Sequence, residues 1–232
     1  KPLVKKEIGY YFNTPVGYIV PILFAVFANF LFVKDIFAVG SASMRPFFGL
    51  VPWLFLVFIP AITMRSFSEE KRLNTIETLL TLPLSEDRIV LSKFTGLVLF
   101  AAIGVTLTLS LPISLSVVSH LGIVEVIISY LGVILMAAAF ISAGMFFSAL
   151  TKNQIVAFLS SAIVLFMFVV LSFDFYSSVF PKIIQDYLVY FSPVYHLQNF
   201  SKGIVDLRSV VYFVSFTVMF LYLTVLNLKK RG

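Results

Sequence analysis

Apolar residues fill this chain in long runs, and polar residues gather in the short breaks between them. About 30 Å of hydrocarbon takes roughly 20 helical residues to cross, and six runs approach or exceed that length. The first is VGYIVPILFAVFANFLFV, to about Val33. The second runs from Phe47 to about Met64, and the third is KFTGLVLFAAIGVTLTLSLPISLSVV, ending near Val118. The fourth covers about Glu125 to Leu150, the fifth starts at Ile155 and ends near Asp174, and the sixth spans about Arg208 to Leu228. The pattern predicts an all-α membrane protein of six crossings, with residues 1–232 forming one transmembrane domain.

The breaks carry their own predictions. Leu3, Val4, Ile8, Tyr11 and Phe12 share one side of a helical wheel opposite Lys5 and Lys6, so residues 1–14 read as an interfacial helix or as a solvated basic tail. Thr14 and Pro15 fit an N-cap with proline at the first helical position. Pro21, Pro52 and Pro60 fall inside crossings, where neighbouring helices can satisfy the freed carbonyls, and mark candidate bends. Thr151 to Gln154 is so short a link that crossings four and five must be antiparallel neighbours. Within crossing four, Ala139 and Ala143, and Gly144 and Ser148, are small residues four apart. That spacing lets helix backbones approach closely, inside one subunit or between two.

Residues 175–206 differ from the rest. Ile183, Ile184, Tyr187, Leu188 and Phe191 form a helical stripe, Pro193 breaks it, and Leu197, Phe200 and Ile204 continue it. Neither half is long enough to span, which predicts two short amphipathic or re-entrant helices on the outer face.

Composition sharpens this reading. Hydrophobic residues make up 60% of the chain and charged residues 12%, against roughly a quarter charged in an ordinary soluble domain. The mean hydropathy is +1.03. The net charge of +6 sits in clusters at the ends of apolar runs, a pattern of bilayer orientation instead of phosphate binding. With the N-terminus inside, twelve of the 17 Lys and Arg residues fall on inner segments and five on outer ones. The positive-inside rule then puts both termini in the cytoplasm, as an even number of crossings requires. Residues 1–12 show no cleavable signal pattern. The absence of cysteine excludes disulfides, thiolate metal sites and a cysteine nucleophile, and leaves the redox compartment open.

Catalytic patterns are missing from the sequence. No G-x-x-x-x-G-K-[ST] loop occurs, so this chain does not bind ATP by that route. His120 and His196 lie in separate outer segments without metal-ligand spacing and read as interfacial polar residues. There is no G-x-S-x-G elbow and no mid-membrane carboxylate pair of the kind that marks an ion path. No catalytic, cofactor-binding or metal-binding residue is expected. If the protein moves something, the energy comes from another chain.

The exception to the apolar pattern is Met64 to Phe94, MRSFSEEKRLNTIETLLTLPLSEDRIVLSKF. Arg65 to Leu73 can prolong crossing two into the cytoplasm. Asn74 and Glu77 have capping-box spacing, which predicts a short helix from Thr75 to Leu82 that ends before Pro83. Ser85 can cap the helix after it, with Glu86 and Asp87 in the first turn, where the dipole favours anions. Ile76, Leu79 and Leu80 share a face that has no soluble core in this chain to enter, so it needs a partner or the lipid interface.

This segment resembles the corresponding stretch of ABC-2 type transporter permeases, and among them the permease of gliding-motility ABC systems, with its pattern RSFSEEK..GTIELLLT.P.S...IVLGK. TKNQIVAF at Thr151 to Phe158 is a weaker similarity. The resemblance implies the ABC-2 exporter fold and an ATP-driven exporter of two permease subunits, as homodimer or heterodimer, with separate ABC ATPase subunits that bind ATP and Mg. Residues 65–93 would hold the coupling helix that docks on the ATPase. The positions carried over are Glu69, Glu70, Lys71, Arg72, Thr75, Ile76, Glu77, Leu79, Leu80, Pro83 and Ser85. Asn74 and Ser92 stand where the family often has glycine. The alternative is a mechanotransmission or scaffold subunit driven by the same type of ATPase, with residues 175–206 as its output surface.

Overall fold

A computed structural model describes residues 9, 13–39, 43–75, 85–118, 122–172 and 181–229. Every regular element among them is an α-helix. Helix α1 spans Val16–Val39, α2 Arg45–Thr63, α3 Ser68–Arg72, α4 Glu86–Leu107 and α5 Ser110–Val118. Then come α6 at Ile123–Leu150, α7 at Gln154–Val170, α8 at Lys182–Tyr190, α9 at Pro193–Ser201 and α10 at Leu207–Lys229.

Five stretches are long and apolar enough to cross a membrane: Gly17–Lys34, Arg45–Arg72, Glu86–Val117, Ile123–Leu150 and Leu207–Lys229. The expected fifth crossing, α7, is an apolar helix of 17 residues. Its rise of about 25 Å is a little under the hydrocarbon thickness. Sequence periodicity overran its end, because the apolar run continues past the helix into the turn at Leu171 and Ser172.

The bundle is organised around α6, which packs against α2, α4, α7, α9 and α10. Met136, Phe140, Ile141, Ala143 and Met145 of α6 are buried, and its neighbours bring aromatic rings to them. Phe55 meets Phe140 at 6.4 Å, and Phe146 meets Phe220 at 5.8 Å. Helix α1 lies on α2 and α4, where Phe24 stacks on Phe55 at 5.6 Å. The opposite face of α1 exposes Tyr18, Ile22, Val26 and Phe30. Such faces have lipid as their solvent, so the chain reads as a multi-pass membrane protein.

The small residues of α6 pack within the subunit. Ala139, Ala143 and Ser148 are buried, and a methyl group at Gly144 would come within 2.9 Å of Thr63 Cβ. At the other end of the helix, a methyl at Gly132 would sit 2.6 Å from Phe200 Cβ and Cγ. The spacing that left two readings open is therefore spent on α2 and α9.

Three boundaries differ from the sequence reading. Helix α1 continues to Val39, past the turn expected at Lys34, since nothing in the sequence breaks a helix before Gly40. The third crossing is divided at Thr108 and Leu109, between α4 and α5. Pro112 has no N–H for the Thr108 carbonyl four residues back. That carbonyl accepts instead from the Leu111 N–H at 3.1 Å and from the Tyr130 hydroxyl of α6 at 3.2 Å. Helices α1 and α2 run unbroken through Pro21, Pro52 and Pro60.

Candidate functional site

The charged segment enters the structure through Met64 to Thr75. Residues 76–84 lie outside the described residues, and with them the expected short helix and Ile76, Glu77, Leu79, Leu80 and Pro83. So does most of the expected N-terminal interfacial helix, along with His120. What is described is how the segment is anchored on both sides.

The anchor begins with a serine on α6. The Ser148 hydroxyl accepts the backbone N–H groups of Phe67 and Ser68, each at 3.1 Å, and donates to the Met64 carbonyl at 2.9 Å. These backbone groups sit where α2 ends and α3 begins, and such helix ends leave donors and acceptors without helical partners. Burial makes the satisfaction necessary, because Phe67, Ser68 and Ser148 are all enclosed and an unpaired polar group there is costly. The Ser68 hydroxyl bonds the Met64 carbonyl as well.

Lys71 adds a charge to the same junction. Its side chain is buried, and its ammonium donates to the Ala149 carbonyl and reaches Asn227 Oδ1 of α10 at 3.5 Å. Ala149 lies in the last turn of α6, where the carbonyls carry the negative end of the helix dipole. Lys71 thus caps the C-terminus of the central helix while belonging to α3.

Glu70 points to the other side. It forms an ion pair of 2.8 Å with Lys93 of α4, whose side chain is 8% exposed. The Lys93 ammonium also lies 5.5 Å from the centre of the Phe67 ring. Among the described residues, Arg72 and Thr75 are exposed and Glu69 is half-buried. Arg72 meets Glu69 at 3.9 Å on the surface, and Thr75 bonds the Glu70 carbonyl through both its N–H and its hydroxyl.

The structure bears on two expected caps. Asn74 has φ +55, the left-handed conformation that closes a helix, and it terminates α3; Glu77 and the short helix expected after it lie outside the described residues. Glycine or asparagine is needed there because other side chains resist that conformation, which also explains why asparagine can replace the glycine frequent in similar sequences. Ser85 occupies the N-cap position of α4, but its side chain makes no capping bond. The carbonyl does the work there, accepting from Arg88 N–H at 2.9 Å.

The two ends of α6 are comparably built. Near its start, the Ser129 hydroxyl shares its proton between the Glu125 carbonyl of its own helix at 2.7 Å and the Phe200 carbonyl of α9 at 3.1 Å, and Glu125 pairs with Arg45 at 3.0 Å. From Ser129 to Ser148 the helix rises about 28 Å, close to the thickness of a hydrocarbon core. Short helices α8 and α9 close the end near Ser129. His196 is buried there, stacked 4.1 Å from the Tyr212 ring. Its Nε2 lies 2.9 Å from the Tyr190 carbonyl and its Nδ1 3.0 Å from the Ser209 hydroxyl. A carbonyl only accepts, so Nε2 carries the proton. Burial pushes the imidazole below its ordinary range, an effect opposed by the bond to Tyr190 and by nearby Asp206.

Ser148, Asn227 and the Lys93 pairing were not foreseen from the sequence. A serine in a small-residue stripe signals close packing, and nothing local distinguishes one whose hydroxyl holds another helix end.

Residues 9–230 match the profile described as ABC-2 family transporter protein. The chain belongs to the ABC-2 transporter family. No curated protein matches it. Family membership makes this chain a membrane subunit, a permease, of an ABC transporter, and the anchored segment is the part of the permease that the SFSEEK motif builds.

Proposed function

We propose that this permease is the transmembrane subunit of an ATP-driven exporter in the cytoplasmic membrane, worked by a separate ABC ATPase through residues 65–93. The supporting observation is the anchoring of that segment. Ser68, Glu70 and Lys71 fasten it to α6, α4 and α10, so a push on residues 76–84 is delivered to the bundle and not absorbed by a loose loop. Both flanks of residues 76–84 are held, at α3 and at the start of α4, and the helical spacing of Ile76, Leu79 and Leu80 in the sequence between them calls for an apolar partner. In this reading α1, α2, α4, α6, α7 and α10 all cross, both termini are cytoplasmic, and α8 and α9 face outward.

Two copies of the permease complete the transporter. A single chain offers little room of its own between α1, α2 and α4, where a void of about 30 Å³ is lined by Pro21, Phe24, Phe55, Phe58, Ile59 and Gly104. That is space for about one water, and its apolar walls do not invite one. A path between two subunits, at exposed faces such as that of α1, is the alternative to a path through one.

The test is co-expression with a candidate ATP-binding-cassette ATPase from the same genome, comparing Glu77→Arg and Leu80→Asp with the unsubstituted chain. Assembly and ATP turnover should both fall, by about tenfold or more for Leu80→Asp, since a charge would enter a desolvated contact. Unchanged assembly and turnover would remove the coupling role. Uptake of labelled lipids, peptides or drugs into inverted vesicles containing the complex separates export from a purely force-transmitting subunit.

A further inference from the structure

We propose that Lys71 and Ser148 are positioning residues of a latch that makes α6 the rod carrying motion from the coupling segment to the outer helices α8 and α9. The inference rests on the ATPase-driven reading above and specifies the route of its output.

Of the helices that lead from the coupling segment toward the outer end, α4 is divided from α5 at Thr108 and Leu109, and α10 meets Lys71 through a 3.5 Å contact of Asn227; α2 and α6 differ in stiffness. Helix α2 leads directly into the segment but holds Pro52 and Pro60, each of which removes a backbone hydrogen bond. Helix α6 runs 28 residues from Ile123 to Leu150 without a proline. At its inner end Ser148 takes two N–H groups and gives one proton to a carbonyl of the 64–68 junction, and the Lys71 ammonium sits on the Ala149 carbonyl. Gly144 lets Thr63 lie directly against the helix just before the latch.

The outer end repeats the arrangement with different residues. Ser129 bonds the Phe200 carbonyl, and Gly132 lets the Phe200 ring lie against the helix. Glu125 holds Arg45, and Gly203, with φ +75, brings the chain after α9 to 3.3 Å of Glu125 Cα, measured from a Cβ placed at Gly203. Close-packed contacts of this kind transmit displacement because no free volume absorbs it. A shift of residues 64–71 along the membrane normal therefore moves α6, and α6 moves α9 with it.

The chain contains no cysteine, so a single Ile183→Cys substitution on α8, at a side chain 73% exposed, gives one site for an environment-sensitive fluorophore. The labelled permease is assembled with its ATPase in nanodiscs, and the emission change on adding a non-hydrolysable ATP analogue is recorded. The unlatched variants are Lys71→Met and Ser148→Ala. Ser160→Ala is the control, because its hydroxyl bonds the Val156 and Ala157 carbonyls of its own helix, α7.

The expected result is that Lys71→Met and Ser148→Ala each reduce the nucleotide-induced change by about fivefold or more, with assembly and nucleotide binding retained. Ser160→Ala should keep the full amplitude, and Ser148→Thr, which restores a hydroxyl, should recover part of what Ser148→Ala loses. Full-sized changes in assembled Ser148→Ala complexes overturn the latch even if Lys71→Met fails to fold. An unsubstituted complex that binds nucleotide without any change at residue 183 overturns the route. Failure of the unsubstituted permease to bind the ATPase overturns the coupling reading itself.

Discussion

Single residues in this permease are constrained by helix contact more than by hydropathy. Gly144 and Gly49 both lie inside helices, yet a methyl at Gly144 collides with Thr63 and one at Gly49 meets nothing within 4 Å. Gly144→Ala should cost about 2 kcal/mol by overpacking, while Gly49→Ala should leave stability unchanged or raise it through helix propensity. Thermal unfolding of the purified protein in detergent distinguishes them. A Gly144→Ala midpoint equal to that of the unsubstituted chain would show that α2 and α6 can part at no cost. Thr108 and Tyr130 show the complementary case, in which a proline removes a donor and the Leu111 N–H together with a distant hydroxyl takes its place at the Thr108 carbonyl.

Elements differ in what holds them. Helix α9 is only nine residues long, yet Pro193, His196, Leu197 and Phe200 are buried, whereas α8 beside it buries no residue. The docking of α9 depends on a neutral His196 that donates to Tyr190 and accepts from Ser209. Because burial lowers its pKa below the ordinary 6.5, the unfolded chain takes up the proton first as pH falls. Stability is then fully present above about pH 6.5 and declines between there and the folded-state pKa. Proteolysis of the 181–206 region should accelerate over that window in the unsubstituted protein, and His196→Gln should flatten the dependence. An equally steep acid response in His196→Gln would place the titrating group elsewhere. Helix α3 shows a different economy: five residues long, it gains its place from Ser148, Lys71 and Lys93 and not from helix propensity.

On the scale of the whole molecule, the proposed orientation rests on where the cations fall. The Ser148 end of α6 gathers Arg65, Lys71, Arg72, Arg88, Lys93, Lys152 and Lys229, and Lys229 reaches Asp87 there at 3.9 Å. Single cysteines test the six-crossing arrangement directly. Ile183→Cys and Lys202→Cys should react with a membrane-impermeant maleimide in intact cells, whereas Leu73→Cys and Lys152→Cys should react only after permeabilisation. Equal labelling of Lys152 and Ile183 positions from one side would mean that α7 does not cross, which its 17 residues make the point most worth checking.

Much of this architecture was legible in the sequence because lipid imposes a strict rule: a spanning segment must be long, apolar and helical. Hydrophobic runs therefore gave the helices and their order, Pro193 divided α8 from α9, and the four-residue link made α6 and α7 neighbours. The SFSEEK motif pointed to the transporter family that the chain belongs to. Which hydroxyl satisfies which helix end was not legible, because that depends on contacts more than 70 residues apart, such as Ser148 with Phe67. The same holds for Lys71, which reads as one more surface cation beside Arg72 until the fold sets it on the end of α6. Sequence thus determined that this chain lives in a membrane and where its charge lies. Tertiary structure alone decided which of those charges are buried, since a lysine is held in the interior only when an acceptor brought from elsewhere in the chain receives its N–H groups, the end of α6 for Lys71 and the Glu70 carboxylate for Lys93.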